Sequence, residues 1–247
     1  NYDITASGTL SASKVNEYVT ASGSGVVTAN VSDTAANAKT LTSGGTDQIN
    51  LVIANDTGAT AAADLNAVDA KTAVKLDATL VTSISGSASD LAALEAAVTA
   101  TPGTVDLKAD VAVEASDGAS VSLINDLAAM TAGVVTATAS SNAFADFSGL
   151  SSASTDKITI QLTDASLNAV DLFATGGGGD SGLATKTGEL LDLTGVAEIK
   201  GTVLELKTLI GKEASEVSLN TSAVKLTVTG GEYDTATALD IKALADF

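Results

Sequence analysis

The chain has 247 residues, with 30 Asp and Glu against 12 Lys, no Arg, Cys, His or Trp, and a net charge of −18. This inventory excludes Ser-His-Asp and Cys-His catalysis, imidazole and thiolate metal sites and disulfide frameworks, and its charge repels nucleic acid and anionic membrane. Hydrophobic residues make up 45% of the chain and only 3 Tyr and 4 Phe occur, so the composition favours a folded protein with closely spaced layers of small side chains.

Segments of helical periodicity, each beginning near Ser, Thr or Asp, alternate with Val/Thr/Leu strands. In chain order the first half reads helix 11–20, strand 26–31, helix 33–41, strand 49–53, helix 60–70, strand 74–80, helix 87–99 and strands 104–107 and 111–114. The second half reads helix 120–130, strand 134–138, helix 141–150, strand 157–162, helix 164–173, strands 217–219 and 223–229, and helix 235–245. Within 87–99, Leu91, Leu94 and Val98 share one helical face, and Ser87 or Ser89 is placed to cap the first turn. Val74–Asp77 and Val224–Val228 alternate apolar with polar, as half-buried strands do. Turns fall at Gly23-Ser24-Gly25, Gly44-Gly45, Asn55-Asp56, Asp117-Gly118 and Gly176 to Gly179.

Apolar anchors of the helical segments sit at Val15, Ala36, Leu65, Leu91, Leu123, Phe144, Leu167 and Leu190, with spacings of 21 to 32 residues and a mean of 25. Leu65-Asn66-Ala67-Val68-Asp69 recurs as Leu167-Asn168-Ala169-Val170-Asp171. A period in this range predicts a mainly β fold, a parallel β-solenoid of about ten coils with short helical segments between strands, spanning 1–247 as one repetitive domain. A β-sandwich is the runner-up, weakened because hairpins joined by helical turns are foreign to it.

The stretch Val31-Ser32-Asp33-Thr34-Ala35-Ala36-Asn37, followed by a short helical segment and strands, resembles the repeats of bacterial secreted and surface β-strand-repeat proteins of the adhesin or surface-layer type. The motif likeness covers one or two units and the compositional likeness the whole chain. The resemblance implies secretion, a solenoid and a structural or adhesive role, and it brings no catalytic residue with it.

With thiolate and imidazole absent, only oxygen ligands for a hard cation remain, and calcium is the cofactor they would suit. Two Gly-rich stretches approach the calcium repeat of secreted solenoids: Gly44-Gly45-Thr46-Asp47 and Gly176-Gly177-Gly178-Gly179-Asp180. In both, the Asp falls early and the stretch does not recur in tandem, so Asp47 and Asp180 are calcium candidates set against an ordinary turn. There is no GxxxxGK[ST] phosphate loop and no strand–GxGxxG–helix unit. Paired carboxylates could hydrolyse glycosides, yet there is no Trp, few aromatics to stack on a sugar ring and no Arg to bind an acidic sugar, so the chain reads as a non-enzyme. Thr-x-Thr pairs at 136/138, 227/229 and 235/237 raise ice binding, but strand surfaces carry Thr for ordinary reasons.

Aromatics cluster near the ends: Tyr2 and Tyr18 early, Tyr233 and Phe247 late. Read structurally they cap the fold, and read functionally they join copies head to tail, a contact that does not close and so makes a filament. No apolar run reaches the roughly 20 residues of a membrane span. Asn rather than Met at position 1 implies a removed leader or a fragment. A chain without Arg, His, Trp or Cys saves nitrogen and sulfur, as suits a protein lost outside the cell.

The expectation is therefore an extracellular or cell-surface structural protein of bacteria that self-assembles into a filament, fibre or surface layer. The alternatives are a calcium-dependent adhesin that binds cell-surface glycans and, further off, a β-helix polysaccharide-degrading enzyme.

Overall fold

The computed structural model describes residues 1–44, 46–55, 57–173 and 182–230. The expected helix 235–245, the Gly176–Gly179 turn, Gly45 and Asp56 lie outside the described residues. Helix and strand each take about 30% of the structure, and the strands form three sheets, each exclusively parallel.

The chain divides into two compact units. The first comprises Asn1–Asp117 and Asp126–Thr136, and the second comprises Gly118–Asn125 and the described residues from Ala137 onward. The first carries β1 (Ile4–Leu10), α1 (Ala12–Ser22), β2 (Val27–Asp33), α2 (Ala35–Ala38), β3 (Gln48–Ile53), β4 (Thr60–Ala61) and α3 (Ala62–Asp69). It continues with β5 (Leu76–Ala78), β6 (Ser83–Gly86), α4 (Ala88–Thr99) and β7 (Val105–Leu107). Then come β8 (Ala112–Ala119), α5 (Val121–Met130) and β9 (Val135–Ala139), followed by β10 (Lys157–Gln161), β11 (Leu167–Asn168) and α6 (Ala169–Leu172). The last elements are β12 (Leu191–Asp192), β13 (Glu198–Gly201), α7 (Val203–Lys212), β14 (Val217–Ser218) and β15 (Lys225–Val228). Strand orders are β1-β2-β3-β5-β7, β14-β12-β10-β9-β8-β6-β4 and β11-β13-β15.

Period-two patterning sets the strand faces. Val27, Ala29 and Val31 of β2 and Ile49, Leu51 and Ile53 of β3 are buried, while Thr28, Asn30 and Gln48 point to water. Ile158 and Ile160 do the same in β10 between exposed Lys157, Thr159 and Gln161. Each fully buried Leu or Ile contributes about 1.5–3 kcal/mol relative to exposure. The helices bury one stripe each: Val15 on α1, Leu65 and Val68 on α3, Leu91 and Leu94 on α4, and Leu206 and Leu209 on α7. Ser87, not Ser89, caps α4, accepting the Asp90 amide at 3.1 Å.

The expected β-solenoid and its regular repeat do not hold, and neither does the β-sandwich: the fold is α/β. The expected helical segments 11–20, 60–70, 87–99 and 120–130 are helices of 8 to 12 residues (α1, α3, α4 and α5), and α7 adds another of 10 residues where none was expected. Each buries its own apolar stripe, so helix is as large a part of the structure as strand. A sandwich of antiparallel hairpins is incompatible with sheets in which every pairing is parallel. The supposed register also fails residue by residue. Ala36 and Leu190 are exposed and Leu123 and Phe144 are half-buried, while their neighbours Ala35, Leu191, Ile124 and Phe147 are the buried ones. The two identical pentapeptides are not structural equivalents. Leu65–Asp69 lies wholly within α3, whereas Leu167-Asn168 is strand β11 and only Ala169–Leu172 is helical.

Among the described residues no helix is long and apolar enough to cross a membrane.

Candidate functional site

The acids that looked like loop ligands are occupied by backbone. Asp47 is only 5% exposed; Oδ1 accepts the Val27 amide at 2.8 Å and Oδ2 the Gly44 amide at 2.9 Å. Asp47 thus closes the turn before β3 and ties it to the start of β2. Asp156 closes its own turn with the Ala153 amide at 2.9 Å, one residue before β10. Asp33 Oδ2 accepts the amide of Ala12, the first residue of α1, at 3.1 Å. Asp117 does the same for Ala88 at the start of α4, and Asp164 for Phe144, the first residue of a 3-10 helix (Phe144–Phe147). These are anions placed on orphan N–H groups at helix starts, where the helix dipole favours them. Among the described residues no group of three or more acids is placed to hold a metal ion. Asp180 lies outside the described residues.

The assembly candidates divide similarly. Tyr233 and Phe247 lie outside the described residues. Tyr2 is 59% exposed two residues before β1, and Tyr18 is half-buried on α1, which packs on β1, with the Lys14 ammonium 5.4 Å from its ring centroid. β1 is an edge strand of the five-stranded sheet. The Ile4 amide donates to Val26 O at 2.9 Å, so Ile4 faces β2, and the alternation of a parallel strand turns the N–H and C=O of Thr5 to the outer edge. The edge is not straight. Ile4 and Thr5 pair with Val27 and Thr28, but Thr9 and Leu10 pair with Asn30 and Val31, so β1 bulges between Thr5 and Thr9. Gly8, at φ 81°, provides the left-handed backbone this requires.

No family model, curated protein or solved structure matches this chain.

At the other end of the described chain, β13 and β15 carry a charge cluster. Glu198 Oε1 accepts Thr227 Oγ1 at 2.6 Å and pairs with Lys225 Nζ at 3.0 Å, while Oε2 lies 3.3 Å from Lys200 Nζ. The Thr227 hydroxyl, then Lys225, against a smaller opposing effect of burial, and then Lys200 pull the Glu198 carboxyl down to about 2. Lysines on an outer strand are also a known means of discouraging unwanted strand addition.

Sequence reasoning missed α7 and the strands β1, β6, β12 and β13, and of the caps it named only Ser87. The capping box Thr202-x-x-Glu205 that starts α7 is legible in the sequence: Thr202 Oγ1 takes the Glu205 amide and Glu205 Oε2 takes the Thr202 amide at 2.8 Å. The capping role of Asp33 and Asp117 was not legible, because each serves a helix 21 or 29 residues earlier.

Proposed function

We propose that this is a structural protein of a bacterial cell surface or extracellular matrix, which self-associates into a filament or layer by parallel strand addition at the β1 edge. The observation that carries this reading is the free outer edge of β1 around Thr5, with exposed Tyr2 beside it. An extended strand with unpaired N–H and C=O groups is a ready template for a second chain. The bulge narrows that template: only a strand whose own shape accommodates it can follow β1 along its length, which favours a specific partner over random aggregation.

Two further observations support a non-catalytic role. The buried and half-buried acids Asp33, Asp47, Asp156 and Asp164 hold backbone amides rather than converging on a cleft. The exposed sheet faces carry short neutral side chains in register, such as Asn50 donating to Asn30 at 3.2 Å. The likeness of Val31–Asn37 to bacterial surface repeats favours the same location, and in this chain that stretch contains Asp33 and the α2 cap Thr34.

Negative-stain electron microscopy of the purified protein tests the reading, with and without millimolar calcium. Regular filaments or sheets in both conditions are expected, since those four acids already hold backbone amides and no group of three or more acids among the described residues is placed to hold a metal ion. Single particles at every concentration would overturn it.

A further inference from the structure

Among the described residues, the second unit has a surface groove in which four of the seven polar lining side chains make no hydrogen bond within the fold. It is lined by Thr138 on β9, Ser140 and Asn142 just after it, Thr159 and Gln161 on β10, and Asp192 on β12. Asn142 differs from the other asparagines of the described residues. Each of the others makes a side-chain hydrogen bond, to backbone as Asn16, Asn66 and Asn125 do, or to another side chain as Asn37 and Asn168 do. Exposed Asn142 has no side-chain partner among the described residues, and neither do the hydroxyls of Thr138, Ser140 and Thr159. Gln161 is held in place: its Nε2 donates to Asp192 Oδ2 at 2.9 Å, leaving its carbonyl oxygen and second N–H toward the groove. Asp192 Oδ1 in turn accepts both the amide and the hydroxyl of Thr194, at 2.9 and 2.6 Å.

We propose that this groove binds a neutral saccharide chain. Its lining offers donors and acceptors strand after strand, at the roughly 4.8 Å separation of sheet neighbours, and hydroxyls that can do both. A polyol presents the same dual groups at close spacing. A phosphate or an acidic sugar would meet the Asp192 carboxylate with no lysine among the lining residues to receive it. An apolar peptide or lipid would find no large hydrophobic side chain there. The saccharide reading stands independently of self-association, because it rests on a different unit from the β1 edge.

Affinity electrophoresis of the full chain through gels containing dextran, mannan, mixed-linkage β-glucan or alginate tests it. Retardation by at least one neutral polymer and not by alginate is expected. The Asn142→Ala/Gln161→Ala double variant should weaken that binding about tenfold, the scale of two lost hydrogen bonds. Gln48→Ala, on a sheet face of the first unit, should leave it unchanged. Both altered groove side chains are exposed, so the variant should fold, and an unchanged circular dichroism spectrum is the check. No retardation by any neutral polymer, equal retardation by alginate, or binding unchanged in the double variant would each overturn the assignment. None of these outcomes bears on filament formation, which microscopy reads separately.

Discussion

Asp47 and Val27, 20 residues apart, are joined by a 2.8 Å hydrogen bond from the Val27 amide to Asp47 Oδ1. The other carboxylate oxygen holds Gly44, so one buried side chain fixes both a turn and the start of a neighbouring strand. Asp47→Ala leaves both amides unpaired and is expected to cost about 1–3 kcal/mol in denaturant unfolding. Asp47→Asn should also destabilise, because its NH₂ group must face one of two donors. The wild-type melting midpoint should not move with millimolar calcium. A rise with calcium that disappears in Asp47→Asn would make Asp47 a cation ligand instead.

A second buried polar group acts on the same principle in the other unit. Thr187 is 4% exposed; its hydroxyl donates to Ile158 O at 2.8 Å and accepts the amides of Ile158 and Glu189 at 3.0 Å. Thr187→Val keeps the shape and removes every one of these bonds. Since the Ile158 amide and carbonyl are then buried without a partner, the variant should lose about 2–4 kcal/mol in equilibrium unfolding. A loss below 0.5 kcal/mol, a threshold set by ordinary surface changes of roughly that size, would mean water replaces the hydroxyl.

Periodicity read from the sequence located most local elements and misassigned the architecture. Each expected strand from 26–31 to 157–162 contains a strand, and each helical segment from 11–20 to 164–173 contains an α-helix except 141–150, which holds only the 3-10 helix Phe144–Phe147. Those elements depend on near neighbours, Val27-x-Ala29-x-Val31 for instance, and near neighbours are what a sequence displays. The repeat fails because matching letters do not mark matching places: Leu65 is helical and Leu167 is strand. Side-chain ladders were invisible for a related reason. Asn16 bonds Thr40 and Thr42, and Asn125 bonds Gly149 and Ser151, at the same separations of 24 and 26 residues, but an asparagine on a helix looks like any solvated one until the chain returns beside it. The groove at Asn142 is built from three strands and could not be read from any one of them.

The Glu198 cluster sets a pH dependence of known sign. Its carboxyl sits at about 2 in the folded chain against 4.5 for a free glutamate, so its contribution is fully present above the unfolded value. That contribution disappears as pH falls from about 4.5 toward about 2. The midpoint of its side-chain carbon signal in an NMR titration should lie near the lower figure. Thr227→Val should raise that midpoint most, with Lys225→Ala next, because the hydroxyl has the largest effect. A midpoint above 4 in the wild type, where ordinary glutamates titrate, would show that the cluster is not formed in solution.

The edge of β1 makes a prediction from two adjacent residues. Ile4 donates its amide inward to Val26 O, whereas alternation turns the Thr5 amide outward, so proline at the two positions should act oppositely. Ile4→Pro removes a ladder bond and forces Asp3 to adapt, and should cost about 1–3 kcal/mol in unfolding. Thr5→Pro removes only the outward donor, a substitution that edge strands tolerate, and should unfold near the wild-type midpoint. If copies add at this edge, Thr5→Pro should stay monomeric by light scattering under conditions in which the wild type assembles. Filaments persisting in Thr5→Pro would move the assembly surface away from β1, and the exposed Tyr2 would then be only a cover for the end of the sheet.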